Sequence, residues 1–179
     1  MITIREIDGQ HKSDARIPND SFPLFGRIAP SYRDGKWDYE LIRYAPEDVS
    51  EMCFPDEGYD PDSMPDSIFL GAYDDESCVG LILLQPGNFR YMYVADLKVK
   101  HEYRRQHIGR MLIDKARKTS AQHGYRGLYL QCQDNNPGAF LFYINSGFYI
   151  GGLDTNIYRH TKQEGKADIL LYCENDERP

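Results

Sequence analysis

Leu97-Lys98-Val99-Lys100-His101-Glu102-Tyr103-Arg104-Arg105-Gln106-His107-Ile108-Gly109-Arg110 is the stretch on which the fold turns. Its first residues continue an alternating apolar pattern, so residues 90–99 read as a long central strand. A short basic turn follows. From Ile108 onward, Ile108, Met111, Leu112 and Ala116 recur at helical spacing and His123-Gly124 supplies a stop, which predicts a helix over 108–123. A helix that starts just after a strand presents unpaired N–H groups and partial positive charge at the turn, where an anion binds readily. Arg104, Arg105 and Arg110 add charge at the same place. Taken alone, the stretch fits a phosphate site and equally a solvated basic turn.

Working outward, residues 127–132 form a short apolar strand, and Asn135-Asn136-Pro137 offers an N-cap with Pro at the first helical position. A helix is expected from Pro137 to about Asn145. Residues 147–151, 155–160 and 167–174 are strand-like. Upstream, residues 2–7, 66–73 and 78–85 read as strands, the last two joined through Asp74-Asp75-Glu76. Residues 8–65 are rich in prolines, aromatics and acids, with two short helices expected near 22–33 and 46–53. The order predicts an α+β (mixed α/β) fold in a single domain over 1–179, with 1–65 as a variable substrate-side region and 66–174 as the core.

The net charge of −7 argues against non-specific nucleic-acid binding and suits a cationic partner. From Tyr44 to Phe89 there is no Lys or Arg, while Glu47, Asp48, Glu51, Asp56, Glu57, Asp60, Asp62 and Asp66 follow one another. That run is either a negative rim that attracts a polycationic amine or a solvated acidic loop. Trp37, Tyr39, Phe54 and Tyr59 either line a pocket or belong to the core. The four cysteines, Cys53, Cys78, Cys132 and Cys173, form no CxxC pair, and the histidines are not spaced as ligands, so no metal is expected. Met1 is followed by Thr3, Arg5 and Glu6 rather than an apolar leader, and no apolar run reaches membrane-span length. A cytoplasmic chain with reduced thiols is expected, as a monomer or homodimer and without membrane association.

The turn segment resembles motif A of the GNAT acetyltransferase superfamily, Arg/Gln-x-x-Gly-x-Gly/Ala after a strand. Here it reads Arg104-x-x-His107-x-Gly109, with His107 replacing the first glycine and Arg105 where many members have another. The backbone N–H of His107 can still donate, provided that its side chain points away from the pyrophosphate. Asn136-x-x-Ala139-x-x-Phe142-Tyr143, then Gly147-Phe148, resembles the second signature of the superfamily. The two lie about thirty residues apart with a strand between them, as a βαβ unit requires. The stretch from Leu130 to Asn136, with Gly147 to Asp154, is similar to the streptothricin acetyltransferase branch, and Tyr158 and Tyr172 fall near the later aromatics of that branch.

The resemblance implies a GNAT-like fold: a central, mostly antiparallel sheet with a splayed parallel strand pair and flanking helices. It implies acetyl-CoA as co-substrate, held by Leu97, Lys98, Val99, Arg104, Arg105, Gln106, His107, Ile108, Gly109, Arg110, Asn136, Ala139 and Tyr143, with the main chain near Leu97 and Val99 pairing with the pantetheine amides. The activity implied is N-acetylation of a small cationic amine, streptothricin with its β-lysine chain first, by direct attack in a ternary complex. A polyamine or protein amine acetyltransferase and a non-catalytic CoA-binding module remain as other readings. Tyr143 matches the general acid toward the sulfur, or packs as a helix aromatic. Where the branch usually has a glutamate, this chain has Ala95. Asp96 is next to it, and strand neighbours point to opposite faces. Asp96 therefore acts through a water, holds cationic substrate, or is only a charged strand residue. Cys132 reads as core rather than nucleophile.

Overall fold

A computed structural model describes residues 1–175. In chain order the elements are β1 (Ile2–Glu6), β2 (Phe22–Leu24), β3 (Gly26–Arg33), β4 (Lys36–Arg43), β5 (Ser50–Met52), β6 (Ile68–Asp74), β7 (Ser77–Gln85), β8 (Tyr91–Val99), α1 (Ile108–Gln122), β9 (Gly127–Gln133), α2 (Pro137–Asn145), β10 (Tyr149–Asp154) and β11 (Asp168–Glu174). Seven strands form one sheet in the order β1-β6-β7-β8-β9-β11-β10, in which β8 and β9 are the parallel pair. This is the mixed α+β fold expected. Two compact units divide the described residues, one comprising Met1–Asp20, Phe54–Leu128 and Glu174 with Asn175, the other Ser21–Cys53 and Tyr129–Cys173.

In the first unit β1, β6, β7 and β8 pair antiparallel, each with the next. One sheet face is covered by α1, which buries Ile108, Leu112, Ile113 and Ala116. Met111, expected on that stripe, is 36% exposed, and Ile113 takes its place inside. The cause is the width of the buried arc, which extends past the positions that a strict i, i+3, i+4 count selects. Helix α1 ends where Gly124 adopts φ +80, letting its N–H reach the Ala121 carbonyl while Tyr125 N–H reaches that of Ser120. The other sheet face packs Phe69, Tyr73, Leu81 and Leu83 against Ile7, Ala15 and Ile17, with Tyr59, Met64 and Ala95 at the margin.

In the second unit β10 and β11 pair antiparallel, and β3–β4 is a long hairpin. Here the expected helix over 22–33 is instead β2 and β3, and that over 46–53 is a single 3-10 turn at Pro46–Asp48 followed by β5. Aromatics and prolines spaced without a 3.6-residue stripe gave no helical face to bury, and strand pairing satisfies the backbone instead. The expected strand at 155–160 is a run of turns, in which Asp154 accepts N–H bonds from Asn156 and Ile157. That local side-chain bonding competes with a ladder.

An ion pair between a half-exposed arginine and a buried carboxylate fixes the start of β3. Arg27 donates from Nε and Nη2 to Asp134 Oδ2 at 2.7 and 2.6 Å, and the Asp134 side chain is only 3% exposed. The neighbouring Ile28 N–H donates to the Asp134 carbonyl at 2.7 Å. Removing the cation leaves a buried carboxylate uncompensated, so Arg27→Ala is expected to cost about 2 kcal/mol, read as a lower urea midpoint at unchanged slope.

Candidate active site

The turn between β8 and α1 keeps the backbone of a glycine loop without the glycines. Arg105 and His107 have φ 64 and 62, both left-handed, a region costly for residues with a Cβ. What holds them there is on either side. Arg104 Nε donates to the Val99 carbonyl at 3.1 Å, and its guanidinium lies 3.6 Å from Asp20, which also accepts the His101 N–H. Gln106 Nε2 donates to the Glu102 carbonyl at 3.2 Å, and Ile108 is 1% exposed. His107→Gly is accordingly expected to stabilise the fold by about 1 kcal/mol, seen as a melting temperature higher by about 2–4 °C.

The first backbone bond of α1 runs from Met111 N–H to the His107 carbonyl, and the exposed His107 side chain makes no capping bond. The opening N–H groups of α1 therefore have no intrahelical acceptor and no side-chain cap. Arg105 precedes the helix start in the chain and Arg110 follows it, whereas Arg104 serves as a brace of the turn. Helix α2 is the opposite case. Asn136 Oδ1 accepts the Ala139 N–H at 3.1 Å, closing that terminus from within. The Ala139 N–H is thereby committed to the cap. An anion such as a pyrophosphate fits α1 and not α2.

Asp96 occupies a bulge. The pairing register places Leu83 opposite Asp96 and Leu84 opposite Val94, so Ala95 is the extra residue. Ala95 packs against the cluster containing Leu81 and Leu83, and Asp96 stands opposite Leu83 on that same face. The expectation that residues 95 and 96 point to opposite faces fails because the bulge interrupts the two-residue period. Asp96 so comes to the side of the missing glutamate. Leu97, opposite Ile82, faces the other way.

Around Asp96 lies a polar network. Lys98 Nζ is 3.0 Å from Asp96 Oδ2, 2.8 Å from Glu57 Oε2 and 3.1 Å from Asn19 Oδ1. Asn19 in turn donates from Nδ2 to Glu57 Oε1 at 3.0 Å. Asp96 and Lys98 thus form a short ion pair inside the network. Burial raises the Asp96 carboxyl above the usual range, against the pull of Lys98. Burial works against the charge on Lys98, but Asp96 and Glu57 outweigh it and raise the ammonium. Burial, with Asp96 and Glu57 nearby, raises the Tyr59 phenol. The result is a carboxylate readier to take a proton than an ordinary aspartate. The side chain of Lys98 is absorbed in this network, so it is not free to reach a cofactor placed elsewhere.

On the second unit, Tyr143 lies on α2 with its ring 5.4 Å from Phe148 and 5.2 Å from Phe142, both edge-on, and is half-buried. It thus has both the aromatic packing and the partial exposure that its two readings ask for. Cys132 is 4% exposed, and burial, with Asp168 and Asp134 adding, pushes its thiol up to about 12, which rules it out as a thiolate nucleophile at neutral pH. Among the described residues no group of three or more His, Cys, Asp or Glu is arranged to hold a metal, and no helix is long and apolar enough to cross a membrane.

An uncapped helix terminus after a central strand, in glycine-loop geometry, and a second helix capped by the Asn of the second signature bring the two motifs into their structural context. The acetyltransferase (GNAT) family pattern matches residues 30–148. The chain belongs to the GNAT acetyltransferase family. Its acyl donor is acetyl-CoA. Within the family its similarity is to the streptothricin branch. It is 29% identical to streptothricin acetyltransferase A of Bacillus subtilis over 167 residues, 89% of this chain and 92% of that one. It is 30% identical to the streptothricin acetyltransferase of Streptomyces lavendulae over 75% of this chain and 70% of that one. A Bacillus anthracis protein solved in complex with acetyl coenzyme A superposes with a TM-score of 0.86 at 26% identity, covering 98% of this chain and 99% of that chain.

Lys98, Glu57, Asn19 and Tyr59 were not legible as one group in the sequence. The signal available was the i, i+2 spacing of Asp96 and Lys98, which places both on one face of a strand.

Proposed function

We propose that this GNAT enzyme acetylates an amine of a small cationic acceptor of the streptothricin class, by direct attack in a ternary complex. The observation that carries the reading is the placement of Asp96, a buried carboxylate with a raised proton affinity on the face where the branch usually has a glutamate. The similarity to streptothricin acetyltransferases along most of the chain supports the acceptor class.

Acetyl-CoA supplies an activated thioester. The N–H groups opening α1, with Arg105 and Arg110, hold its phosphates, and the main chain of Leu97 and Val99 aligns its arm. An ammonium has no lone pair, so the acceptor must lose a proton before attack; Asp96 takes it, directly or through a water. The Tyr143 hydroxyl donates a proton to the departing thiolate. Asn136 fixes the start of the helix that carries Tyr143. The acidic side chains of the Glu57–Asp66 stretch favour the approach of a cation.

Acetyl-CoA incubated with the protein and an amine panel, while free thiol is followed, tests the proposal. Turnover with streptothricin but not with spermidine or a lysine peptide is expected. Turnover with spermidine or the peptide alone overturns the acceptor class, and CoA binding without thiol release from any amine overturns catalysis.

A further inference from the structure

The second unit contains an array of acceptors that lacks donors. Asp168, 5% exposed, accepts the Tyr158 hydroxyl at Oδ1 (2.7 Å). Gln133 Nε2 donates to the Tyr158 oxygen and to Gln163 Oε1, both at 2.9 Å. Its own Oε1 is buried with no hydrogen bond among the described residues. Asp134, 2% exposed, gives Oδ2 to Arg27, while its Oδ1 is also buried without a hydrogen bond. Asp154 stands directly opposite Asp168 in the β10–β11 pairing. Asp134 and Asp154 both act electrostatically on Asp168, and Asp134 on Tyr158 as well.

The cations nearby are already engaged. Arg27 is held by Asp134 and the Gly165 carbonyl, and Lys166 Nζ donates to Gln163 Oε1 at 3.0 Å. Among the described residues no Lys, Arg or His lies within salt-bridge distance of Asp168. A buried carboxylate whose one strong donor is a neutral phenol is costly, and each unpaired buried acceptor adds to the cost. The kind of group that relieves a buried carboxylate and a neighbouring unpaired acceptor is positively charged, rich in N–H donors and without acceptors. A metal is not favoured, since the carboxylates are not gathered as ligands.

We propose that the Asp168–Tyr158–Gln133 array binds one non-reacting ammonium or guanidinium group of the acceptor, and so selects amines that carry at least two cationic groups. This rests on the acetyltransferase reading for the word acceptor; the cation site itself does not. Tyr158 orients the Asp168 carboxylate, Gln133 Oε1 adds a neutral acceptor, and Asp134 supplies field from behind its pair with Arg27. Burial, reinforced by Asp154 and Asp134 and opposed by the Tyr158 bond, raises the Asp168 carboxyl above its usual range. Neutralising it therefore relieves the folded state at neutral pH, which makes Asp168→Asn a variant expected to keep or gain thermal stability.

The test is Asp168→Asn with two readouts. With streptothricin as acceptor, KM should rise at least tenfold while kcat and the KM for acetyl-CoA stay within twofold. By calorimetry without acetyl-CoA, 1,4-diaminobutane should bind the wild-type protein and bind the variant at least tenfold more weakly. The thermal midpoint of the variant should equal or exceed that of the wild type. Equal diamine affinity in both proteins, no diamine binding to the wild type, or a loss confined to kcat overturns the inference. Absence of thiol release with every amine tried, alongside a persisting calorimetric difference, instead marks failure of the acetyltransferase reading and leaves the cation site standing.

Discussion

Asp96→Asn is expected to lower kcat/KM by about two to three orders of magnitude, the size that positioned acid–base groups contribute. The amide keeps the shape of the carboxylate and cannot take the proton. The loss should fall mainly in kcat, with the KM for acetyl-CoA unchanged. The pH profile is the sharper readout. The folded pKa of Asp96 is raised by burial, so its carboxylate form is lost as pH falls through a value above the usual aspartate range. Wild-type activity should therefore have an acid limb displaced upward from that range, and the limb should vanish in the residual activity of Asp96→Asn. A limb that survives the substitution would assign it to another group and remove Asp96 as the base. Lys98 helps to keep the limb from moving further: it lies 3.0 Å from the carboxylate and favours the charged form.

Tyr143→Phe should lower kcat by about a hundredfold, again the scale of a single positioned proton donor. The ring contacts with Phe142 and Phe148 survive in the variant, so stability and CoA affinity should change little. An acceptor-independent check separates acid from packing. Replacing acetyl-CoA by a thioester with a more acidic thiol should restore part of the lost rate, because a better leaving group needs less protonation. If Tyr143→Phe leaves turnover unchanged at every pH, the residue is a packing aromatic alone.

The legible part of the fold is the part governed by period and punctuation. Arg90 to Asn145 contains a two-residue alternation, then a helical stripe closed by Gly124, then an Asn-Pro start, and each became the expected element. The helices expected over 22–33 and 46–53 do not form, because the strands there are short or hairpin-paired. Tyr32, Tyr39 and Ile42 remain accessible on the β3–β4 hairpin, and beyond Ile28 no alternation of buried and exposed residues marks it. The basic turn at the start of α1 could be read from residue types, since helix start and positive charge are local properties. The orientation of Asp96 could not. A bulge is a property of two strands, and nothing within 90–99 says that Leu83 and Leu84 will pair with Asp96 and Val94. The Asp168 array was equally hidden, because Gln133, Tyr158 and Asp168 come together only through the chain path of the second unit.

The left-handed pair at Arg105 and His107 bears on how the turn before α1 can vary. Its course is imposed by the brace of Arg104 on Val99, the tie of Gln106 to Glu102 and the burial of Ile108. A pyrophosphate responds to the direction of N–H bonds and not to the residue names behind them. With the path secured from its flanks, positions 105 and 107 are released from the usual demand for glycine. They become two positions at the mouth of a helix where side-chain bulk and charge can be exchanged while the scaffold stays as it is.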